Sequence, residues 1–290
     1  MEQIKNEHLS VCINSKGAEL WSIKDKDGME YLWQGDPQYW EDRAINLFPY
    51  IARLTEGKYV LDGKTYKMDI HGFAKDTVFQ IVKKTDSEVT FRMQDTDETI
   101  KQYPFKFIFE ISYRLEESSM IVTYTIENKD NKTMYFGIGG HPGFNVPLEE
   151  RLAFTDYYLE FEEEKNAKRI TFSDDHYVLD SEEEFLMEEG RRIRLRHEMF
   201  DDDAIVLTNM AKGVVLKSDK GSKGIRVRYP NMNYLGIWHC MHTEAPYVCI
   251  EPWSSLPSRK DVIEDFSLQS NLIALQAKEK YVNGFSVELI

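Results

Sequence analysis

Residues 105–115, with the sequence FKFIFEISYRL, decide the fold class of this chain. Large apolar side chains occupy every second position from Phe105 to Leu115, and mostly polar side chains lie between them. A period of two places successive side chains on opposite faces of a β-strand. After the polar turn at 116–119, the alternation resumes with Met120, Val122, Tyr124 and Ile126. This pattern predicts a β-hairpin with one buried and one hydrated face.

The rest of the chain also reads as short strands. A second hairpin is predicted at 58–68, where Asp62-Gly63 suits a two-residue turn because both central positions need φ > 0. Helix is expected only in short pieces, at Asp36–Trp40 and Asp261–Asp265. Further candidate strands are Thr77–Lys84, Glu88–Gln94, Ala204–Asn209, Gly213–Ser218, Gly224–Tyr229, Tyr247–Ile250, Leu272–Ala277 and Phe285–Ile290. The chain is therefore predicted to be all-β, a large antiparallel β-sandwich with few short helices.

The composition is that of a globular protein with a strong negative charge. The 290 residues are 42% hydrophobic and 30% charged, which excludes collagen-like and fully disordered classes. No proline-, glycine- or serine-rich linker divides residues 1–290, so we expect a single domain. The net charge of −14 repels polyanions, so we expect no nucleic-acid partner and no membrane binding.

The N-terminus and the cysteines favour a cytoplasmic protein. The first eight residues are polar and lack the apolar core of a signal peptide. No apolar run approaches the roughly 20 residues that span a bilayer. Cys12, Cys240 and Cys249 are odd in number and widely spaced, so we predict reduced and mostly buried thiols. The sequence leaves a monomer and a homodimer equally open.

Two candidate functional residues lie around the second hairpin. Arg53 stands in an apolar stretch just before this hairpin, where a surface arginine or an ion-paired arginine is the alternative interpretation. His71 follows the hairpin and precedes Gly72, a context in which a turn histidine is common. Neither residue identifies a function by itself.

Two further candidates lie at predicted strand ends. His141 stands between Gly139-Gly140 and Pro142-Gly143, which let the backbone turn tightly and approach a ligand. Glu251 follows an apolar run and precedes a proline, and an acid at the end of a buried strand must be paired, hydrogen-bonded or functional. Two histidines, a glutamate and an arginine suit general acid–base catalysis on a neutral polar substrate.

Other kinds of chemistry find little support. The sequence has no HxH or HExxH motif, and His239 and His242 form an isolated pair in a strand-like region, so no metal site is predicted. It has no GxSxG nucleophile motif and no glycine-rich phosphate loop. The Glu251 and His141 pair, without a metal or a nucleophile, therefore suits general acid–base catalysis.

The order of these motifs resembles the aldose 1-epimerases, also called galactose mutarotases. The matching segments are Arg53-Leu54-x-x-Gly57-x-Tyr59, His71-Gly72-Phe73, Gly139–Asn145 and Cys249–Trp253. The segments 17–20 and 31–37 are similar to the bacterial LacX-like branch of that family. The resemblance extends from Ser15 to near the C-terminus. It implies a galactose mutarotase-like supersandwich, an active site in a shallow cleft on one sheet, and no cofactor.

The resemblance also implies a role for each candidate. Glu251 matches the general base of the family. His141 matches the general acid, although the usual context Asn-His-x-Tyr-Phe-Asn is here Gly-His-Pro-Gly-Phe-Asn. His71 and Arg53 match residues that hold and polarise the sugar.

Two assignments stay open within the resemblance. The family has an acidic residue that binds sugar hydroxyls, for which Asp201, Asp202 and Asp203 are candidates, and we prefer Asp203. Trp238 is a candidate stacking face for the sugar, with a core tryptophan as an equal alternative.

The implied reaction interconverts the α and β anomers of an aldohexose by ring opening and reclosure. Glu251 would deprotonate the anomeric hydroxyl while His141 protonates the ring oxygen. We expect nearby carboxylates to raise the pKa of His141 toward or above neutral, giving a bell-shaped pH profile.

Three alternative functions are weighed against this one. A hexose-6-phosphate 1-epimerase needs clustered cations, which the net charge of −14 disfavours. A non-catalytic carbohydrate-binding or sensing protein would have no need of both Glu251 and His141. A glycosidase or lyase usually needs two carboxylates beside the scissile bond, and only one is evident.

Overall fold

The computed structural model describes all 290 residues, and most of them belong to β-strands or to the turns between strands. The strands are β1 Glu2–Lys5, β2 Leu9–Asn14, β3 Glu19–Asp25, β4 Ala44–Leu47, β5 Lys58–Leu61, β6 Lys64–Lys67, β7 Gln80–Lys84, β8 Glu88–Gln94, β9 Phe107–Glu116, β10 Ser119–Asn128, β11 Met134–Phe136, β12 Gly139–Asn145, β13 Tyr158–Phe161, β14 Lys168–Phe172, β15 Val178–Glu184, β16 Arg192–Arg194, β17 Ile205–Thr208, β18 Gly213–Lys217, β19 Gly224–Arg228, β20 Tyr234–Trp238, β21 Tyr247–Trp253, β22 Ile273–Leu275 and β23 Lys280–Leu289. The helical segments are the α-helix α1 Asp97–Gln102 and the 3-10 segments Thr55–Gly57, Ala74–Asp76, Phe154–Asp156 and His197–Phe200.

Two large antiparallel sheets dominate the architecture. One sheet has nine strands in the order β16-β13-β18-β19-β23-β10-β9-β8-β7. The other has seven strands in the order β15-β14-β17-β20-β21-β12-β4. A three-stranded sheet β1-β2-β3 and the pairs β5-β6 and β11-β22 complete the molecule. The prediction of an all-β antiparallel sandwich with few short helices is confirmed.

The two predicted hairpins are present. Strands β9 and β10 pair along their whole length, and the side chains of β9 alternate between buried and more exposed positions from Phe107 to Glu116. Strands β5 and β6 are joined by Asp62 and Gly63, whose φ angles of 51° and 72° are both positive, as the turn requires.

Several predicted boundaries are wrong. Asp36–Trp40 is a turn stabilised by the Asp36 side chain, which accepts a hydrogen bond from the backbone N–H of Gln38. Asp261–Asp265 does not form a helix either, since Asp261 itself has a left-handed φ of 59°. The one α-helix, at 97–102, was not predicted; Thr96 caps it by accepting from the backbone of Thr99.

Two of the predicted strands are longer than the sequence indicated. Strand β21 does not stop at Ile250 but continues through Glu251 and Pro252 to Trp253, because β12 and β20 pair with it on both sides. Strand β23 starts at Lys280 rather than at Phe285. Glu251 therefore lies inside a central strand, where its two neighbours fix its backbone.

A continuous apolar core joins the sheets. It contains 67 buried side chains and draws on both large sheets and the three-stranded sheet, so these layers share one interior. The core includes all the buried aromatic rings of β9, such as Phe107, Phe109 and Tyr113. None of the helices is long and apolar enough to cross a membrane.

One buried polar cluster connects the two large sheets. The side chain of Asn46 on β4 accepts a hydrogen bond from the Tyr124 hydroxyl at 2.8 Å and donates to the Tyr113 oxygen at 3.1 Å. Its amide nitrogen also donates to the carbonyl oxygens of Gly17 and Ala18. These bonds satisfy a buried amide on every side and anchor β4, the strand beside β12.

Candidate active site

A cavity of about 310 Å³ lies on one face of the seven-stranded sheet, and we refer to it as the cleft. Strands β14, β17, β20, β21, β12 and β4 each contribute a side chain to its floor, namely Phe172, Val206, Trp238, Glu251, His141 and Ile45. Loop residues form its walls, namely Trp40, Asp42, Ala52, Arg53, Ile70, His71, Lys75, His176, Asp202, Asp203, Ala204 and Pro257. The structure thus brings Arg53, His71, His141, Asp203, Trp238 and Glu251 together around one cavity.

His141 and Glu251 are in direct contact at the centre of the cleft. Strands β12 and β21 pair with Gly139 opposite Trp253 and Gly143 opposite Cys249, which places residues 141 and 251 opposite each other. The Nε2 atom of His141 lies 3.2 Å from Oε2 of Glu251. The two side chains are only 9% and 1% exposed, so their charges are poorly screened by water.

Burial sets the ionisation of this pair. Removal from water lowers the pKa of His141 to about 3, because it disfavours the imidazolium. Removal from water also raises the pKa of Glu251 well above its usual range, and the negative charge of Asp203 adds to the effect. The expectation that His141 has a raised pKa is therefore wrong: desolvation outweighs the attraction of the nearby carboxylates.

The glycines before His141 are required by packing. A Cβ atom on Gly140 would lie 2.7 Å from the ring of Phe285, which belongs to β23 of the opposite sheet. Strand β12 can therefore press against the core at this point only with glycine. Gly236, opposite Glu251 on β20, leaves space on the cleft side, where a Cβ would lie 3.2 Å from Cβ of Glu251.

His71 reaches the cleft from a strained turn. Its own φ is 66°, and a Cβ on the following Gly72 would lie 2.3 Å from the carbonyl oxygen of Phe48. The backbone N–H of Ala52 donates to Nδ1 of His71 at 3.1 Å, which leaves the proton of the neutral ring on Nε2. Burial lowers the pKa of His71 well below its usual value, with further repulsion from His141 and Lys75. His71 is thus a neutral hydrogen-bond donor.

Arg53 and Asp203 stand on the wall of the cleft. Arg53 donates a hydrogen bond to the carbonyl oxygen of Asp175 at 3.3 Å and has no carboxylate partner, unlike the ion-paired arginine of the alternative interpretation. Asp203 has a left-handed φ of 74°, immediately before β17, and its Oδ2 lies 3.2 Å from Nδ1 of His176. Both side chains keep polar atoms available to a ligand.

The three consecutive aspartates have different surroundings. Asp202 and Asp203 line the cleft, whereas Asp201 accepts a hydrogen bond from the backbone of His242 and contacts its ring at 3.3 Å. The negative charge of Asp203 acts on Glu251, and the choice of Asp203 as the sugar-binding acid stays a prediction.

Tryptophan rings flank His141. Trp238 lines the cleft, packs edge-on to His141 with ring centroids 5.6 Å apart, and also packs against a small buried cluster that includes Tyr247. Trp40 covers His141 from another side at 4.7 Å and meets Trp238 at 86°. These rings exclude water from the imidazole and provide apolar surface of the kind that contacts the C–H face of a sugar ring.

Sequence reasoning missed several lining residues. Trp40 was assigned to a short helix, and His176 and Phe172 lie in a segment without any motif. The two tryptophans Trp33 and Trp40, close together in the sequence and just before an apolar strand, were the one sequence feature that could have predicted aromatic residues in the wall of the cleft. For His176 no signal existed, since only the fold brings it to Asp203.

Buried polar atoms without partners face one another at the cleft floor. Nδ1 of His141, Oε2 of Glu251 and Nε1 of Trp253 have no hydrogen-bond partner. Although Oε2 lies close to His141, the contact lacks the angles of a hydrogen bond. Leaving a buried polar group unpaired costs about 1–3 kcal/mol, so these atoms lower the stability of the protein at this point.

The fold and this constellation define a carbohydrate-epimerase scaffold, and comparison with known proteins agrees. The family described as aldose 1-epimerase matches residues 2–275. The chain belongs to the aldose 1-epimerase family. It is 31% identical over 289 residues to the plasmid-encoded and chromosomal LacX proteins of Lactococcus lactis subsp. lactis, covering 96% of this chain and 96% of each relative.

Solved structures give the same result. A galactose mutarotase-like protein from Lactobacillus casei superposes with a TM-score of 0.95 at 33% identity, covering the whole of both chains. A galactose mutarotase related enzyme from Lactobacillus acidophilus superposes with a TM-score of 0.93 at 32% identity, covering 100% of this chain and 97% of the other. A putative aldose 1-epimerase from Escherichia coli, at 14% identity and a TM-score of 0.78, shares the fold.

Proposed function

We propose that this protein is a mutarotase that interconverts the α and β anomers of an unphosphorylated aldohexose. The observation that carries the proposal is the contact of His141 with Glu251 inside a buried, sugar-sized cleft. Membership of the aldose 1-epimerase family supports the class of reaction. An acid and a base that touch each other can also reach two oxygens on the same acetal carbon.

The reaction opens and recloses the sugar ring. Glu251 takes the proton of the anomeric hydroxyl, the C1–O1 bond becomes a carbonyl, and the bond from C1 to the ring oxygen breaks. His141 gives its proton to that ring oxygen. Rotation about C1–C2 presents the other face of the aldehyde, and ring closure returns both protons. No group is consumed, so the enzyme returns to its starting state.

The pair needs only one proton for this cycle. Burial favours the neutral arrangement in the free protein, with the proton on Glu251 and a neutral His141. A sugar hydroxyl that donates to the Glu251 carboxylate favours its ionised form. The proton then passes to Nε2 of His141, 3.2 Å away, once sugar binding brings the two groups into hydrogen-bond alignment. The shared proton thus reaches the residue that must deliver it.

The remaining polar residues hold the sugar. The Nε2–H of His71 and the guanidinium of Arg53 donate to sugar oxygens and stabilise negative charge that develops on them. Asp203, positioned by His176, accepts from sugar hydroxyls, and Trp238 covers one face of the ring.

The charges in the cleft favour a neutral sugar over a phosphorylated one. Asp42, Asp202, Asp203 and Glu251 line the cavity together with two cationic side chains, Arg53 and Lys75. Lys75 is already paired with Asp76 at 2.8 Å. A phosphate group would therefore meet more carboxylates than free cations.

Polarimetry on freshly dissolved α-anomers tests the proposal. We expect the purified protein to accelerate the mutarotation of one or more free aldohexoses, such as glucose or galactose, more than that of the corresponding 6-phosphates. A faster rate on the 6-phosphates would favour the phosphorylated substrate. Sugar binding by calorimetry without acceleration would favour the non-catalytic sugar-binding protein and overturn the proposal.

A further inference from the structure

A buried thiol lies beside the catalytic pair and has no part in the proposed reaction. Cys249 stands two residues before Glu251 on β21, so both side chains point to the same face of the sheet. It is free, fully buried and packed among Trp33, Tyr247 and the neighbouring aromatic residues. One ligand atom each from His141, Cys249 and Glu251 lie within 4.8 Å of one another.

We propose that His141, Cys249 and Glu251 form a transition-metal site through which Zn²⁺ and similar divalent cations block the catalytic pair. Imidazole nitrogen, thiolate sulfur and carboxylate oxygen are the three ligand types that zinc binds in proteins. Sites with three protein ligands leave a fourth position for water. His141 and Glu251 both line the cleft, so we expect that position on the cleft side of the pair. The metal is an inhibitor and not a cofactor, since it engages the atoms that must move protons.

The geometry needs little adjustment to accept the ion. Zinc binds nitrogen and oxygen at about 2.0–2.2 Å and sulfur at about 2.3 Å, so tetrahedral ligand atoms lie roughly 3.3–3.7 Å apart. The 3.2 Å separation of His141 Nε2 from Glu251 Oε2 already fits this requirement. The sulfur of Cys249 lies within 4.8 Å of the other two ligand atoms, so it has to move closer to them by about 1 Å at most.

The hydrogen bonding of the site also suits a cation. Oε2 of Glu251 is buried and accepts no hydrogen bond, so it is free to bind a cation. On binding, the thiol proton of Cys249, together with any proton on Glu251, leaves to solvent, and His141 binds as the neutral base. Hard cations such as Mg²⁺ and Ca²⁺ prefer sites made wholly of oxygen, so they do not bind here.

Cobalt titration of the full-length protein tests the site directly. We expect one equivalent of Co²⁺ to bind, with a thiolate-to-cobalt charge-transfer band in the near ultraviolet that Zn²⁺ displaces and Mg²⁺ does not. We also expect Zn²⁺ to abolish mutarotation reversibly, with activity restored by a chelator. The inhibition rests on the proposed function, whereas the absorption band is read without any activity.

Cysteine variants separate this site from other possible ligands. Cys249→Ser, and Cys249→Ala as a second variant in case the serine is poorly tolerated, should keep mutarotation, lose the charge-transfer band and weaken metal binding by at least about a hundredfold. Cys240→Ser is the matched control, because Cys240 packs against the same aromatic residues outside the trio, and it should bind as the wild type does.

Two outcomes would overturn the proposal. One is the absence of any cobalt charge-transfer band in the wild-type protein. The other is unchanged affinity in both Cys249 variants, which would place the metal at another pair, such as His176 with Asp203 on the cleft wall or His242 with Asp201 at the surface. A protein that shows the band but no mutarotation would retain the metal site and lose the proposed function.

Discussion

The β9–β10 hairpin and the β12–β21 pair are both antiparallel ladders, yet they use their residues in opposite ways. In the hairpin, each strand alternates between buried apolar residues and residues that keep contact with water. In the β12–β21 pair, nearly every residue is buried on both faces, because one face packs on the core and the other forms the floor of the cleft. The hairpin contributes stability, and the second pair holds ionisable groups at a cost in stability.

The largest effect is expected when Glu251, the proposed base, is replaced in the buried pair of His141 and Glu251. Glu251→Gln keeps the size of the side chain and takes away its capacity to accept the anomeric proton. We expect mutarotation to fall by about 10²–10⁴-fold, the usual contribution of a positioned base, with an unchanged circular dichroism spectrum. Glu182→Gln, at an exposed position of β15 in the same sheet, is the control and should retain wild-type activity. Wild-type rates in Glu251→Gln would remove this residue from the mechanism.

In the β9–β10 hairpin, we expect a substitution to lower stability and to leave activity unchanged. Ile111→Ala removes a fully buried side chain from β9 and should lower the free energy of unfolding by about 2–5 kcal/mol. Chemical denaturation measures this loss, and activity per folded molecule should stay unchanged. The neighbouring Ser112, on the other face of β9, provides the control: Ser112→Ala loses two long side-chain hydrogen bonds, with Thr90 and Glu88, and should lower stability by no more than about 1 kcal/mol. Equal losses at the two positions would contradict the alternation.

The stability of Glu251→Gln sharpens the contrast further. Above the usual glutamate value of 4.5, the unfolded chain ionises this carboxyl freely while the folded protein resists ionisation. The wild type therefore loses stability as the pH rises from 4.5 toward the raised pKa of the folded state, by about 1.4 kcal/mol for each unit of the shift. We expect the variant to be more stable than the wild type at pH 8 and equal to it at pH 4, as measured by urea unfolding. A destabilised variant at pH 8 would show that the carboxylate is satisfied.

The pH dependence of the reaction tests the coupling within the pair. Independent glutamate and histidine side chains would give a narrow bell between about 4.3 and 6.5. Burial lowers the pKa of His141 and raises that of Glu251, so the pair gains a second proton only at low pH and loses its single proton only at high pH. We expect kcat/KM to be flat across neutral pH, with both limbs displaced outward. A narrow bell would mean that the two groups titrate independently.

The regular parts of the fold were predictable because their information is local. Alternation in residues 105–126 and the Asp62-Gly63 turn each identify a hairpin within about twenty residues of sequence. The predicted helix at Asp36–Trp40 was wrong because the Asp36 side chain accepts a hydrogen bond from the backbone of Gln38 and stabilises a turn instead. The predicted end of β21 at Ile250 was wrong because β12 and β20 pair with the strand on both sides and extend it through Pro252. Local sequence patterns do not predict this pairing.

The site was predictable only as far as motifs extend. The sequence identified Glu251 and His141 through their contexts, but the register that places them opposite each other is a property of the folded sheet. It also gave the wrong direction for the pKa of His141, because burial beneath Trp40 and Trp238 depends on distant segments. A search for metal motifs along the chain could not find a trio that combines an i, i+2 pair on one strand with a residue of the next.

The amide of Asn46 has a consequence for the precision of the catalytic strand. A shift of β4 by one residue would turn Ile45 away from the cleft and break its alignment with His141 on β12. That shift moves Asn46 as well, and an amide bonded to two tyrosines and two carbonyl oxygens cannot find an equivalent set one position along. The polar cluster thus selects one alignment of β4 against the opposite sheet, because any other alignment leaves buried polar groups unpaired.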